Sequence, residues 1–404
     1  MDRVILHCDL NCFFASVELL SHPELRNIPT AVCGDPSSRH GIILAKNEPA
    51  KRFGVKTAET IWQAKKKCPD LVLLKPHHNL YRVYSKKVNA IYDEYTDLVE
   101  PFGIDESWLD VTNTLHLFGG DAKALADELR RRVREELGLT LSVGVSFNKV
   151  FAKLGSDYKK PDATTVISRE NWQEIIWPLP VGDLLFVGGA AQKILRQYGI
   201  QTIGQLAKCE RTMLETLMGK MGSQLYEYAN GLDCERVRGR TEVEMVKSVG
   251  NGTTFPYNLT TREQALGGIA ILADSVATRL RREGLYAGGI QVTVRDPEFH
   301  ARSRQRRLDA PTHLIREMTG LAMEVLADLW KPPSPIRALT VTAIYLTPEG
   351  EAFEQEDLFS AAAVPKKEKQ EKLEAAMEHI RGKYGNHAII FGAATGEKEE
   401  DPFS

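Results

Sequence analysis

Hydrophobic and polar positions over the first 166 residues alternate between strand-length and helix-length patterns. Short apolar runs typical of buried strands lie at residues 4–10, 41–44 and 139–145, and residues 97–112 predict two more strands. Helical periodicity is found at 13–20, 48–53, 61–67, 80–96, 122–137 and 149–158. A strand, a helix, a strand pair, a helix and a strand in this order predict an α+β sheet with helices on one face.

The pattern changes after residue 167. Residues 168–231 predict short helices joined by glycine turns, and the charge-rich stretch 232–247 predicts a linker. A second α/β unit follows, in which Thr260 and Glu263 predict a capping box at the start of a long helix. Three further strands are predicted at about 289–295, 299–308 and 337–345. The tail that begins at Thr347 is predicted to contain an amphipathic helix at 366–383.

Length and composition indicate a multidomain protein of the cytoplasm. A chain of 404 residues exceeds one ordinary domain, so two to four are expected. No apolar run approaches the ~20 residues of a membrane span, and the N-terminus lacks the layout of a signal peptide. The six cysteines form no CxxC pair, which favours reduced thiols over a disulfide framework or a zinc site.

The net charge of −2 conceals an uneven distribution. Residues 349–404 hold 13 acidic and 7 basic side chains, so the rest of the chain is mildly basic. The total charge therefore does not exclude a nucleic-acid partner, and local patterns must decide.

Two acidic segments almost a hundred residues apart carry the candidate chemistry. Asp9 ends the first predicted strand, and Asp105 with Glu106 lies between the two strands of 97–112. Convergent carboxylates make an oxygen-rich site suited to Mg²⁺, and two such ions can activate an attacking oxygen and stabilise a leaving phosphate. The alternative is that the three residues are ordinary strand-end turn residues in solvent.

Two aromatic residues, Phe13 and Phe14, follow Asp9 within five residues. An aromatic wall beside a nucleotide sugar leaves no room for a 2′-hydroxyl and so selects deoxyribose. The alternative is that both rings pack in the core, the commoner role of aromatic side chains.

The strings around these residues resemble the two catalytic signatures of Y-family DNA polymerases, in the DinB branch. Further strings of that family occur in the same order and extend the resemblance over residues 1–345. The strings are 8–18, 53–55, 104–111, 142–149, 152–162 and 254–256.

The resemblance implies a multidomain α+β fold of the right-hand polymerase type. It comprises a ferredoxin-like palm, small fingers, a helical thumb with a helix-hairpin-helix, and an α/β little finger. The implied divisions are palm 1–18 and 78–166, fingers 19–77, thumb 167–232, linker 233–244, little finger 245–346, and an acidic tail 347–404.

The resemblance also implies roles for individual residues. Asp9, Asp105 and Glu106, with the carbonyl of Leu10, would hold two Mg²⁺ ions, for which Mn²⁺ could substitute. Phe14 would be the steric gate against ribonucleotides, with Phe13 beside it. Lys160 would contact the triphosphate. The primer 3′-oxygen would attack the α-phosphorus of a dNTP, and the absence of an exonuclease signature implies synthesis without proofreading.

One segment departs from the family pattern. Relatives usually carry Ser or Thr and then Asn-Tyr-x-Ala-Arg to grip the triphosphate, whereas this chain has Ala45, Glu48 and Lys51 at the corresponding hydroxyl, tyrosine and arginine positions. Lysine offers a point charge where an arginine fork binds phosphate in two places. We expect a weakened or rearranged grip with activity retained, in which Lys46 and Lys51 act together or Glu48 pairs with one of them.

Two segments are candidate DNA contacts. The stretch around Gly188 and Gly189 resembles a helix-hairpin-helix whose backbone N–H groups would bind DNA phosphates, although Phe186 replaces the usual first glycine; a plain structural turn is the alternative. Arg302, Arg304 and Arg306 alternate along a predicted strand and would share one face suited to a phosphate backbone. The alternative is a solvated edge strand.

The tail contains the sequence 355–359, Gln-Glu-Asp-Leu-Phe. It resembles the peptide by which bacterial polymerases bind the sliding clamp, with Gln355, Leu358 and Phe359 as the contacts, and flexible tails suit such tethered recognition. The alternative is an acidic tail with a chance Leu-Phe pair.

We therefore expect a monomeric, low-fidelity translesion DNA polymerase that acts on primer–template DNA and dNTPs. One alternative is a non-catalytic or strongly impaired DNA-binding relative, supported by the residues at 45, 48 and 51 alone. The other is a palm-fold nucleotidyl cyclase, which leaves the thumb, the arginine-rich strand and the clamp-like peptide unexplained.

Overall fold

The computed structural model describes residues 2–36, 41–242, 245–351, 364–385 and 388–389, without the side chains of 364–368. The chain divides into two compact units, Met1–Val243 and Glu244–Ser404. None of the helices within the described ranges combines the length and the apolar character needed to span a membrane.

The strands within the described ranges are β1 (Ile5–Leu10), β2 (Thr30–Cys33), β3 (Ile43–Lys46), β4 (Val72–Leu74), β5 (Val99–Pro101), β6 (Glu106–Asp110), β7 (Leu141–Ser146), β8 (Thr164–Ile167), β9 (Ser248–Leu259), β10 (Leu285–Arg295), β11 (Ala301–Thr312) and β12 (Ile336–Pro348). The α-helices are α1 (Phe13–Ser21), α2 (Glu48–Arg52), α3 (Ile61–Lys67), α4 (His78–Tyr92), α5 (Ala122–Leu137), α6 (Lys149–Tyr158), α7 (Trp172–Ile176), α8 (Gly189–Gln197), α9 (Ile203–Ala207), α10 (Arg211–Met218), α11 (Lys220–Ala229), α12 (Arg262–Arg282), α13 (Ile315–Leu329) and α14 (Val364–Tyr384).

The central sheet of the first unit has the strand order β5-β6-β1-β7-β8, with β1 antiparallel to both of its neighbours. All six residues of β1 are buried, because helices cover both faces of the sheet. Leu6 and Leu10 pack in the core that includes α4 and α5, whereas Ile5 packs against Ala152 of α6 on the other side. The prediction of helices on one face only is therefore wrong.

Gly144 on β7 permits the close approach of α6. A Cβ atom at this position would lie 1.9 Å from the carbonyl oxygen of Ala152 and 2.4 Å from the nitrogen of Ser156. The glycine thus sets how near the side chains of α6 come to β1, where the acidic residues lie.

A small second sheet, β3-β2-β4, forms its own core with α2 and α3. These elements come between β1 and α4 in the sequence. The sequence pattern did not predict β2 and β4, because these strands are only four and three residues long. Asn47 caps α2 by accepting a hydrogen bond from the Ala50 nitrogen at 3.1 Å, and Thr60 begins α3 in a capping box with Gln63. Helices α7 to α11 pack around a separate apolar core.

The predicted linker is attached to the first unit up to Glu242. The backbone N–H and the guanidinium of Arg238 donate to the carboxylate of Glu100 at 2.9 and 2.8 Å, and Lys149 donates to both oxygens of that carboxylate at 3.0 Å. Val237 is buried with Ile5 and Trp108. Charged side chains in this stretch thus serve as anchors as well as solvated groups.

The second unit has a four-stranded antiparallel sheet in the order β11-β10-β12-β9 with α12 and α13 packed in its core. The sequence prediction missed β9, whose Gly250, Gly252 and Pro256 are poor strand formers. It also placed the capping box one residue early. Thr261, not Thr260, caps α12, and its partner is Gln264.

Part of the predicted tail is the helix α14, which confirms the helix expected at 366–383. Glu374 is 3% exposed, accepts a hydrogen bond from the Ile315 nitrogen at 3.1 Å, and pairs with Arg281 at 2.8 Å. Arg381 pairs with Asp274 of α12 at 2.8 Å. This helix is therefore fixed to the second unit by buried ionic contacts.

Candidate active site

The three predicted acidic residues meet at one end of β1 and β6. Asp9 lies opposite Glu106 in the antiparallel register, and the Leu10 nitrogen donates to the Asp105 carbonyl at 3.0 Å. Residues directly opposite each other in such a pair project to the same face of the sheet. The strand pairing therefore brings together residues almost a hundred positions apart.

Two lysines from α6 and the turn after it neutralise these carboxylates. Lys160 Nζ lies 2.5 Å from Asp9 Oδ2 and also 2.5 Å from Asp157 Oδ1. Lys153 Nζ donates to Glu106 Oε2 at 2.7 Å. Sequence reasoning gave no role to Lys153 or Asp157, although their i, i+4 spacing places both on one face of α6.

The electrostatics of the three acidic residues differ. Burial raises the pKa of Asp9 to about 7, against the opposing charge of Lys160. Burial and then the charge of Glu106 raise the pKa of Asp105. Burial also opposes ionisation of Glu106, but the contacts with His7 and Lys153 outweigh it and lower the pKa to about 2.

The donor set fits a divalent cation. Burial is the main cause of the raised pKa of Asp9 and of Asp105, and the charge of Glu106 adds to it, so a cation bound here would favour their ionised forms. Carboxylate oxygens are the ligands that Mg²⁺ prefers. The described residues contain no group of three or more His, Cys, Asp or Glu side chains already placed to hold a metal ion. Lysines occupy one oxygen each of Asp9 and Glu106.

The two aromatic residues after Asp9 have different environments. Phe13 is 3% exposed and packs in the core with Tyr81, so its side chain has a packing role. Phe14 is partly exposed and stacks on Tyr81, with ring centroids 4.1 Å apart and planes inclined by 12°. Of the pair, only Phe14 therefore presents a rigidly supported surface to a ligand.

The divergent triphosphate segment is held by local pairs. Glu48 Oε1 lies 2.6 Å from Lys51 Nζ and accepts a hydrogen bond from Cys12 Sγ at 3.3 Å. Lys46 donates to the hydroxyl of Thr57 at 2.8 Å. Of the arrangements left open by the sequence, the structure has Glu48 paired with Lys51.

The hairpin before α8 keeps the backbone shape that a glycine would favour. Phe186 has φ = 68°, in the left-handed region, which costs a side-chain-bearing residue ~1–2 kcal/mol. Gly188 is the N-cap of α8 and Gly189 its first residue, and a Cβ at either position would meet nothing within 4 Å. Both glycines are exposed, and the Gly188 N–H donates to the Phe186 carbonyl at 3.1 Å.

The three arginines of β11 share one face, as the alternation predicts. Their partners on β10, in the order Arg302, Arg304, Arg306, are the buried Val294, Val292 and Ile290. That is the face covered by the helices, and Arg306 pairs there with Glu324 at 2.8 Å and Asp328 at 2.9 Å, both on α13. The charge of Arg306 is therefore already neutralised within the protein, which the local sequence does not reveal.

The clamp-like contacts Gln355, Leu358 and Phe359 lie outside the described residues.

Comparisons with known proteins agree over most of the chain. The model of the impB/mucB/samB family matches residues 8–157, and that of the same family's C-terminal domain matches residues 246–358. DNA polymerase IV of Acetivibrio thermocellus is 46% identical over 97% of this chain and 97% of its own length. DNA polymerase IV 1 of Bacillus subtilis is 37% identical over 98% of this chain and 94% of its own length.

A solved structure, the Y-family DNA polymerase chimera Dbh-Dpo4(243-245)-Dbh, has a similar fold with a TM-score of 0.74. The match is 22% identical and covers 85% of this chain and 99% of the chimera. This likeness supports the predicted multidomain α+β polymerase fold. The family models and the nearly full-length relatives go further: the chain belongs to the Y family of DNA polymerases, in the DinB, or DNA polymerase IV, branch.

Proposed function

We propose that the protein is a template-directed, translesion DNA polymerase that adds dNTPs to a primer 3′ end without proofreading. Membership of the DNA polymerase IV branch supports the reaction class. The observation that carries the proposal is the pairing of Asp9 with Glu106 across β1 and β6, with Asp105 bonded to the same strand end. The expected partners are primer–template DNA and a dNTP.

Asp9, Asp105, Glu106 and the Leu10 carbonyl are the proposed ligands of two Mg²⁺ ions, for which Mn²⁺ could substitute. Bound divalent ions supply charge for activating the primer oxygen and stabilising the leaving phosphate. Lys160, which pairs with Asp9 here, would be able to change partner and bind the triphosphate. An ammonium on a flexible stem suits such a change of partner.

Phe14 is the proposed steric gate. Its stacking on Tyr81 prevents the ring from turning aside when a ribose 2′-hydroxyl approaches. Tyr81 is itself held by a hydrogen bond from its hydroxyl to Glu18. Deoxyribose, which lacks that hydroxyl, would fit against the ring.

Lys46 and Lys51 are the proposed triphosphate contacts of the fingers. Lys51 is engaged with Glu48, so binding of the nucleotide requires that pair to open. Exposed ion pairs of this kind contribute ~0.3–0.5 kcal/mol on a helix, which a triphosphate can readily outweigh. The altered segment therefore supports a weakened grip rather than an inactive protein.

DNA binding is proposed at three places. The N–H group of Gly189, together with that of Gly188 once it leaves the Phe186 carbonyl, would bind a phosphate at the start of α8. Arg302 and Arg304 would bind the backbone along the edge of β11. The open face of the same sheet offers Gln291, Thr293, Thr340 and Thr342, which lie opposite one another in register.

The peptide 355–359 is the proposed contact with a bacterial sliding clamp, and the protein is proposed to act as a monomer in the cytoplasm. The peptide lies in the chain between β12 and α14, two elements of the same unit. Deleting 355–359 should reduce clamp-dependent processivity and leave distributive synthesis intact. Equal loss of both activities would contradict this assignment.

Primer extension by the wild-type protein beside Asp105→Ala and Glu106→Ala tests the proposed reaction. We expect Mg²⁺-dependent extension by the wild type and loss of several orders of magnitude in both variants. Extension that persists in both variants would overturn the metal assignment. A wild-type protein that binds primer–template but never extends it would instead support the non-catalytic alternative.

A further inference from the structure

His7 is a buried polar residue beside the acidic site that the proposed reaction does not yet use. It lies on β1 two residues before Asp9, so both side chains project from the same face of the strand. Its side chain is fully buried, edge-on to Trp108, with ring centroids 5.2 Å apart. An apolar residue would fill this place without the cost of burying ring nitrogens.

Ser156 of α6 holds one side of the His7 ring. Ser156 Oγ lies 2.8 Å from His7 Nδ1. This contact depends on Gly144, which faces His7 in the β1–β7 register and lets α6 approach the sheet. The sheet and α6 together therefore fix the orientation of the imidazole.

The other ring nitrogen faces Glu106. His7 Nε2 lies 3.3 Å from Glu106 Oε2, yet among the described residues this buried nitrogen has no hydrogen bond of satisfactory geometry. Leaving a buried donor or acceptor without a hydrogen bond destabilises the folded protein. Hydrogen bonds at catalytic sites are often poorly aligned before the ligands bind and tighten in the complex. The unpaired His7 Nε2 is therefore placed to complete its hydrogen bond with Glu106 when the acidic site binds its ligands.

The proton on the ring follows from the neighbours. A neutral imidazole carries one N–H donor and one acceptor. Because the carboxylate of Glu106 can only accept when ionised, we assign the proton to Nε2, and the Ser156 hydroxyl then donates to Nδ1. In the structure that hydroxyl also lies 2.8 Å from the Lys153 carbonyl, its alternative acceptor.

The arrangement leaves one oxygen of Glu106 available. Its Oε2 receives Lys153 Nζ at 2.7 Å and faces His7, whereas Oε1 has no hydrogen bond or ion pair within the described part of the chain. We propose that His7, supported by Ser156, is a positioning residue that holds Oε2 of Glu106 and presents Oε1 to a divalent cation. The proposal deepens the function proposed above and rests on it.

The test compares two substitutions of His7 that differ in hydrogen bonding. His7→Gln retains an amide N–H that can reach Glu106, whereas His7→Leu fills the space without a donor. Free Mn²⁺ is measured by electron paramagnetic resonance with primer–template and a non-hydrolysable dNTP analogue, and single-turnover extension is measured against Mg²⁺ concentration. We expect His7→Leu to lose about tenfold or more in Mn²⁺ affinity, the scale seen for residues that orient metal ligands.

The expected pattern has further parts. His7→Gln should keep most of the Mn²⁺ affinity, and the dNTP KM should change less than the rate at fixed Mg²⁺. Ser156→Ala is a smaller change than the substitutions of His7 and carries little risk to folding. It should also reduce Mn²⁺ affinity. Ser146→Ala is the matched control, because it removes a buried hydroxyl of β7 bonded to Ile167 instead.

The outcomes separate this proposal from the function on which it rests. Wild-type affinity and rate in His7→Leu, or equal losses in His7→Leu and His7→Gln when both are folded, would overturn the positioning role. If His7→Leu does not fold, unchanged Mn²⁺ affinity in a folded Ser156→Ala overturns it. A wild-type protein that neither binds Mn²⁺ nor extends a primer would refute the polymerase function itself.

Discussion

Glu48 Oε1 lies 2.6 Å from Lys51 Nζ, one turn apart on α2. By the sequence resemblance, both residues occupy positions where the family pattern has a tyrosine and an arginine, and Lys51 is a proposed triphosphate contact. The pair partly neutralises the charge of Glu48, but it also occupies the lysine. The two residues that depart from the family pattern on α2 are thus paired with each other.

Replacing Glu48 with Gln should therefore improve nucleotide binding. The change removes a negative charge near the triphosphate and frees Lys51, effects worth roughly 1 kcal/mol together near a protein surface. We expect the dNTP KM to fall about threefold to tenfold with little change in kcat. Glu24→Gln, an equal change of charge elsewhere in the fingers, should leave KM unaltered. An unchanged KM in Glu48→Gln would show that α2 does not contact the triphosphate.

Shortening Phe14 should relax the choice of sugar. Phe14→Ala removes the ring that Tyr81 supports, so the space for a 2′-hydroxyl opens. We expect the ratio of kcat/KM for dNTP to that for rNTP to fall by at least about tenfold, or ~1.4 kcal/mol. Phe13→Leu is the control, because Phe13 is buried in the core and should affect stability but not sugar selection. If Phe13 were the steric gate instead, the ratio would fall in Phe13→Leu and stay unchanged in Phe14→Ala.

The arginines of β11 should differ in their effect on DNA binding. Arg302→Ala and Arg304→Ala should each weaken primer–template binding and reduce the slope of log Kd against log salt by about 1, as expected for one lost phosphate contact. Arg306→Ala should change the slope less, because Arg306 pairs with Glu324 and Asp328. Equal salt slopes for all three variants would mean that DNA displaces the pairs on α13.

The buried network around Glu100 should be important for stability. Glu100→Ala leaves the ammonium of Lys149, 4% exposed, without its closest partner, and it releases Arg238 of the linker. Breaking one side of a buried pair typically costs about 3–5 kcal/mol. Urea unfolding of the first unit should show a loss of this size. Glu94→Ala, which removes a more exposed partner of Arg132, should cost less than about 1 kcal/mol.

Sequence reasoning located the acidic site because its signals are local. Asp9 and Glu106 each lie in a short strand, near the end of β1 and at the start of β6. Helix α6 has the predicted bounds because Asn148 caps it by accepting a hydrogen bond from the Phe151 nitrogen. The contacts that it missed join distant segments. Neither Arg306 with Glu324 nor Arg238 with Glu100 has a periodic signature, and α6 could not be assigned to a face of the sheet without the role of Gly144.

The attachment of α14 should depend on pH through Glu374. Burial raises the pKa of this carboxyl to about 7, despite the nearby charge of Arg281. The folded state therefore holds the proton more tightly than the unfolded state, whose carboxyl titrates near 4.5. The stabilising effect of that proton is fully present below about pH 4.5 and is lost as the pH rises through about 7.

Hydrogen exchange of the α14 amides, corrected for the intrinsic rate, measures this attachment. Protection should be greater at pH 6 than at pH 8 in the wild type. In Glu374→Gln, which is neutral throughout and can still accept a hydrogen bond from the Ile315 nitrogen, the difference should be small. Glu371→Gln, a change at a more exposed carboxylate of the same helix, should keep the wild-type dependence. Protection that rises with pH in the wild type would show that the ion pair with Arg281 outweighs the cost of burying the charge.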